Sequence, residues 1–170
     1  MIIRTIQSLI LLLFSQFILS QEYSERQLKK ISSDIVKDSN SCLLISLDSL
    51  GNPRARLMDS YMPNDNFVFY LITNSLSRKV KELENDSRVV LSFQSLDGKS
   101  YVTVSGFSVL SDDKKLKEKY WKDSWTPHYR GRDVNSLLIK VIPKSLEVIS
   151  IPKNVSGDPV TWKPKTIFFN

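Results

Sequence analysis

The sequence predicts a mainly β fold of the α+β type, with short helices flanking the strands. Three observations carry this. A continuous apolar run, Phe67-Val-Phe-Tyr-Leu-Ile-Thr73, is rich in β-branched and aromatic residues and reads as a buried strand. Other β-type runs lie on both sides of it, separated by turn residues such as Gly51-Asn52 and Asp97-Gly98. Helical spacing of apolar residues is confined to brief segments between or beside these runs.

The amino terminus is a separate object. Met1-Ile-Ile-Arg4 gives a short positive region, and Leu9 to Leu19 an apolar one broken by Ser15-Gln16. Polar and charged residues follow at once, so residues 1–20 read as a secretory signal peptide cut after Ser20, not as a membrane span. The expectation is a secreted or periplasmic protein with no stable membrane association after cleavage. No Cys follows the apolar region to carry a lipid, and no twin arginine marks a folded-export route. Cleavage removes Arg4 and no acid, so the formal charge of +6 becomes +5.

Residues 21–40 form the next unit, with Leu28, Ile31 and Ile35 at helical spacing on one face. Residues 41–151 then carry the strands. Ser41 to Asp48 and Pro53 to Tyr61 read as two strands joined by a tight turn, in which Gly51-Asn52 supplies the positive φ that a hairpin needs. Period-2 alternation puts Arg54, Arg56, Met58 and Ser60 on one face of the second strand.

After the central run, Thr73-Asn74-Ser75 ends the strand, and the amphipathic segment holding Val80 and Leu83 starts immediately. Hydroxyls, free helix N–H groups and the adjacent cations Arg78 and Lys79 make a sensible phosphate site. An ordinary N-cap beside solvated cations explains the same residues equally well.

Arg88 to Phe93 and Tyr101 to Leu110 form another hairpin about Asp97-Gly98. Ser111-Asp-Asp113 caps a helix running to Trp121. Leu137 to Ile142 and Leu146 to Ile151 read as two strands about a turn at Pro143-Lys144-Ser145. Residues 152–170 are a loop followed by an edge strand ending near Phe169.

Composition excludes several chemistries. One His and one Cys cannot build a His/Cys zinc site, and His128 has no nucleophile-elbow pattern near it. His128 reads as a surface or packing residue, and Cys42 as a buried, inert thiol. No Gly-rich nucleotide loop occurs. The basic residues are spread over helix faces, so no nucleic-acid partner is expected. Redox or transfer chemistry would have to come from a bound cofactor.

The motifs Gly51-Asn-Pro-Arg-Ala-Arg56, Phe69 to Asn74, Ser77-Arg-Lys79 with Val80 to Val89, and Tyr101 to Gly106 together resemble the FMN-binding split β-barrels of the pyridoxamine-phosphate oxidase superfamily. Tyr120-Trp121 and Trp125 to Asp133 are similar to the tryptophan-bearing segment of its general-stress-protein branch. The resemblance implies a six-stranded split β-barrel with flanking helices that binds FMN and acts as a homodimer with a small-molecule electron donor and acceptor. It places Arg56, Leu57 and Met58 beside the flavin, Thr73 near the ring and ribityl chain, and Ser77, Arg78 and Lys79 on the phosphate. Tyr101 stands where the oxidases carry a glutamine against the ring, and Trp121, Trp125 or Tyr129 would cover the partner's site.

The sequence departs from the oxidases in two places. Asp59-Ser60-Tyr61 stands where they carry a substrate-binding lysine, and their carboxy-terminal Arg-x-His is missing. A small flavin-dependent oxidoreductase other than a pyridoxamine-phosphate oxidase is therefore expected. The alternatives are a non-catalytic module that stores or senses flavin or haem, and a structural dimer with no cofactor.

Overall fold

The computed structural model describes residues 22–129, 131 and 133–170. The proposed signal peptide, residues 1–20, lies outside them. The first element is α1 (Glu25–Asp38), opened by a capping box in which Ser24 and Gln27 satisfy each other's backbone N–H groups. Its Leu28, Ile35 and Val36 are buried against the sheet.

The strands are β1 (Cys42–Leu47), β2 (Pro53–Met58), β3 (Ser60–Tyr61), β4 (Phe69–Asn74), β5 (Arg88–Gln94), β6 (Ser100–Ser111), β7 (Ser136–Ser150) and β8 (Lys165–Phe168). Helix α2 (Arg78–Asn85) links β4 to β5, while α3 (Lys114–Lys119) and a 3-10 turn (Asp123–His128) lie between β6 and β7. Every pairing is antiparallel, in the order β2-β1-β5-β6-β7-β4-β3, with β8 also on β7.

Chain connectivity shows how this sheet curls. β2 and β3 stand at opposite ends of the strand order, yet only Asp59 separates them in sequence. The two edges must therefore approach one another, which bends the sheet into a barrel. The barrel is split along β7, whose first half pairs with β4 (Val141 opposite Phe69) and whose second half pairs with β8 (Val148 opposite Lys165).

Six strands of six residues or more, β1, β2, β4, β5, β6 and β7, make up the expected barrel, joined by the two-residue β3 and by β8, the edge strand expected near Phe169. A correction concerns Pro143-Lys144-Ser145, which is not a turn. β7 runs unbroken through it and pairs along β6 on both sides of a bulge between Ser105 and Gly106. Proline cannot donate to a ladder but is tolerated at a bulge, and here Pro143 stands opposite Gly106.

The core fills the barrel. Leu44, Phe69, Leu71, Leu91, Phe93, Val102, Val104 and Leu146 are buried within it, with Phe69 and Phe93 stacked at 5.1 Å. A smaller cluster of Ile72, Trp125 and Leu138, packed by Tyr70, Leu116, Tyr120, Trp121 and Tyr129, anchors the segment between β6 and β7. Among the described residues, no helix is long and apolar enough to cross a membrane.

Candidate functional site

Apolar alternation buries Leu71 and Thr73 of β4, and the chain then turns into α2 through Asn74, whose Oδ1 accepts from Leu76 N at 2.8 Å. Ser77 occupies the N-cap position but makes no side-chain cap bond. Its hydroxyl instead meets Thr73 Oγ1 at 3.1 Å, and Lys79 Nζ donates to that same Oγ1 at 2.9 Å. The start of α2 therefore lacks the hydroxyl cap that the plainer reading of these residues required.

A second polar group lies under the helix. Glu82 faces inward from α2 and accepts from Ser46 Oγ at 2.5 Å, from Arg78 Nε at 2.9 Å and from Arg56 Nη2. Arg56 Nη1 also donates to Ser46 Oγ at 2.7 Å. Burial works to raise the Glu82 pKa, but the bonds from Ser46, Arg56 and Arg78 together hold it below the ordinary carboxylate value. Burial, reinforced by the charge on Arg56, pushes Lys79 below the usual lysine value. Two arginines thus share one carboxylate and a third cation, Lys79, stands near it on Thr73, which leaves a positive excess at this corner.

A cavity of about 300 Å³ adjoins it. Leu57, Met58 and Asp59 line it from the end of β2, Ile72, Thr73 and Asn74 from β4, and Lys79 from α2. Trp125, His128 and Tyr129 close the remaining side from the 3-10 turn and the residue after it.

Of the residues expected to share a site, Leu57, Met58, Thr73 and Lys79 line this cavity. Ser77 touches it through Thr73, and Arg56 bears on Lys79 from beneath by its charge. Arg78 does not line it; its side chain is 74% exposed and paired with Glu82. Tyr101 lies elsewhere, exposed on β6 opposite Gln94 and Ile149.

Trp125 and Tyr129 line this cavity, held there by Asp59 and by the Ile72 carbonyl. Asp59, Glu82 and His128 were not among the expected site residues. The acid at Asp59 was visible in sequence as a departure, and no sequence signal marked Glu82 as buried. Among the described residues, no group of three or more His, Cys, Asp and Glu side chains could hold a metal.

Residues 26–154 match the family described as pyridoxamine 5'-phosphate oxidase like. The chain belongs to that family. Comparison with curated proteins returned no match. Among solved structures, the pyridoxamine 5'-phosphate oxidase like chain is similar to General Stress Protein 26 from Bacillus anthracis, with 23% identity and a TM-score of 0.68 over 84% of this chain and 98% of that one. A protein from Clostridium acetobutylicum related to general stress protein 26 gives 18% identity and a TM-score of 0.71, covering 86% and 97%. A protein described as a heme binding protein from Mycobacterium smegmatis gives 12% identity and a TM-score of 0.60, covering 75% and 55%. At these identities the likeness is one of fold, and that fold is the split barrel.

Proposed function

We propose that the cavity between β2, β4 and α2 binds FMN and that the protein is an exported, flavin-dependent oxidoreductase. The observation that carries this reading is that Arg56 and Arg78 share the single carboxylate of Glu82 while Lys79 stands close by, beside a mostly apolar cavity of about 300 Å³ that Lys79 lines. A positive excess at an uncapped helix start suits a phosphate. A mostly apolar hollow with a few polar groups suits a ring system, and this volume is at the lower end of ordinary ligand sites.

The residues present therefore fit the group. Lys79 would meet the phosphate directly, Arg56 would add charge from beneath, and Arg78 could turn inward from its exposed position. Leu57, Met58 and Ile72 would exclude water from the ring, with Thr73 and Asn74 offering hydrogen bonds. Bound flavin would supply hydride or electron transfer. Pyridoxamine phosphate is an unsuitable substrate, since Asp59 stands where a phosphate-binding lysine would be needed.

The dimer belongs to the same proposal. Leu57, Leu43, Ile45, Val90, Phe107 and Ile142 share the outer face of β2-β1-β5-β6-β7, and four of them are more than a third exposed. A second copy seated there would cover this face. Export through residues 1–20 would require the cavity to be filled after folding outside the cytoplasm.

Protein purified from its native compartment tests the reading by absorbance and ligand mass spectrometry. Flavin should be found, and NAD(P)H should bleach it. The R78A/K79A double variant should be empty while its circular dichroism stays unchanged; full flavin occupancy in that variant overturns the phosphate assignment. A second reading, haem binding, draws on the imidazole of His128 at the cavity wall, a common iron ligand. A Soret band lost in H128A would favour it over flavin.

A further inference from the structure

Asp59 alone separates β2 from β3, so it lies on the seam where the two edges of the sheet are joined. Its carboxylate faces the cavity, and both oxygens are engaged by one distant segment. Oδ1 accepts from Lys122 Nζ at 2.5 Å, and Oδ2 accepts from the Trp125 indole Nε1 at 2.7 Å. Lys122 also donates to the Ser60 carbonyl at 2.7 Å, and its ammonium lies 5.4 Å from the Trp125 ring centroid. Farther along, the Tyr129 hydroxyl donates to the Ile72 carbonyl at 3.2 Å. The aromatic wall of the cavity is thus tied to the barrel seam through one carboxylate, in bonds that charge makes strong.

We propose that Asp59 is a positioning residue: by gripping Lys122 and Trp125 it fixes the aromatic wall, and so sets how tightly the ring half of a flavin is held, independently of the cations that meet its phosphate. This rests on reading the cavity as a flavin site. Without the carboxylate, a half-buried ammonium and a buried indole N–H lose their shared acceptor. The 3-10 turn would then be free to leave the seam.

Riboflavin and FMN separate the two halves of the site, since only FMN carries a phosphate. Dissociation constants for both are measured by flavin fluorescence on wild type, Asp59→Ala, Asp59→Asn and Lys79→Met, with thermal unfolding to track the fold. Asp59→Ala should weaken riboflavin and FMN by the same factor, about tenfold to a hundredfold. Lys79→Met should weaken FMN and leave riboflavin unchanged. Asp59→Asn keeps an acceptor for Trp125 but no charge for Lys122, so it should fall between wild type and the alanine variant, and it serves alone if the alanine variant does not fold.

A folded Asp59 variant that binds riboflavin as tightly as wild type, or that loses affinity for FMN only, overturns the inference. If wild type binds neither flavin, the proposed function fails, and Asp59 is then judged without ligand. Tryptophan emission and amide exchange across residues 122–129 should change in Asp59→Asn; unchanged values overturn the positioning role.

Discussion

Glu82, on the inward face of α2, accepts a hydrogen bond from Arg56 on β2, although the β3–β4 hairpin separates them in the chain. Their side chains are 4% and 17% exposed, so the pair is largely withdrawn from water. Glu82→Gln removes the charge that Arg56 and Arg78 share and leaves a buried guanidinium undercompensated. Loss of one partner of a buried pair costs about 3 kcal/mol. The thermal midpoint should then fall by about 6–12 °C, as scanning calorimetry would record.

Acid should act on the same group. The folded Glu82 pKa lies below its ordinary value, so the pair's stabilisation is present above that value and lost as pH falls through the folded one. As pH falls below the ordinary glutamate value, wild type should lose more stability than Glu82→Gln, which has no carboxylate to protonate there. Urea unfolding at a series of pH values checks this, and parallel losses in both proteins would remove Glu82 from the account.

Lys79 should behave in the opposite sense. Burial and the Arg56 charge disfavour its ammonium, so it loses its proton below the ordinary lysine value of 10.5. Between the folded and unfolded values the unfolded chain binds more protons, and the empty protein gains stability as pH rises. An anionic ligand needs the ammonium, so FMN affinity should fall across that same interval, at lower pH than an exposed lysine would give. Lys79→Met should bind FMN about tenfold or more weakly at neutral pH and show no such fall, by calorimetric titration.

The parts legible in sequence were those written in consecutive residues. The junction from Phe69 through Lys79 holds a strand end, a helix start and adjacent cations, and Ser77 and Lys79 both bond the Thr73 hydroxyl there. The contact between Asp59 and Trp125 spans 66 residues and depends on the sheet curling, which no local pattern encodes. Glu82 was hidden for a different reason. A charged residue on an amphipathic helix defaults to solvent, and its burial becomes tolerable through Ser46 and Arg56 arriving from β1 and β2 together with Arg78 on its own helix. Pro143 misled because the local code marks a turn, whereas the long partner strand β6 absorbs it in a bulge.

That bulge gives a prediction of its own. A Cβ built on Gly106 would lie 2.1 Å from the Ile142 carbonyl oxygen and 2.9 Å from its carbon, both backbone atoms that cannot swing aside. Gly106→Ala must therefore part β6 from β7 along the pairing that joins the two halves of the barrel. A cost of about 3 kcal/mol or more is expected, corresponding to a midpoint lowered by about 6 °C or more. A variant that melts with wild type would show that the bulge relaxes freely.

Phe107 offers the sharpest test of assembly. It is 41% exposed on β6, between Arg88 of β5 and Ile142 of β7, and it borders a depression of about 360 Å³ that Ile45, Leu47 and Val90 also line. Because its ring already faces outward in the single chain, charging it costs the monomer's core little. Placed in an interface between two copies, the same charge would be buried with no neighbour but Arg88, whose guanidinium Asp86 already holds, and by two-fold symmetry it would be buried twice. Phe107→Asp should therefore halve the mass seen by light scattering while circular dichroism and the melting of the monomer stay close to wild type. If the wild-type chain is itself a monomer at micromolar concentration, or if the variant keeps the wild-type mass, the dimer does not form through this face.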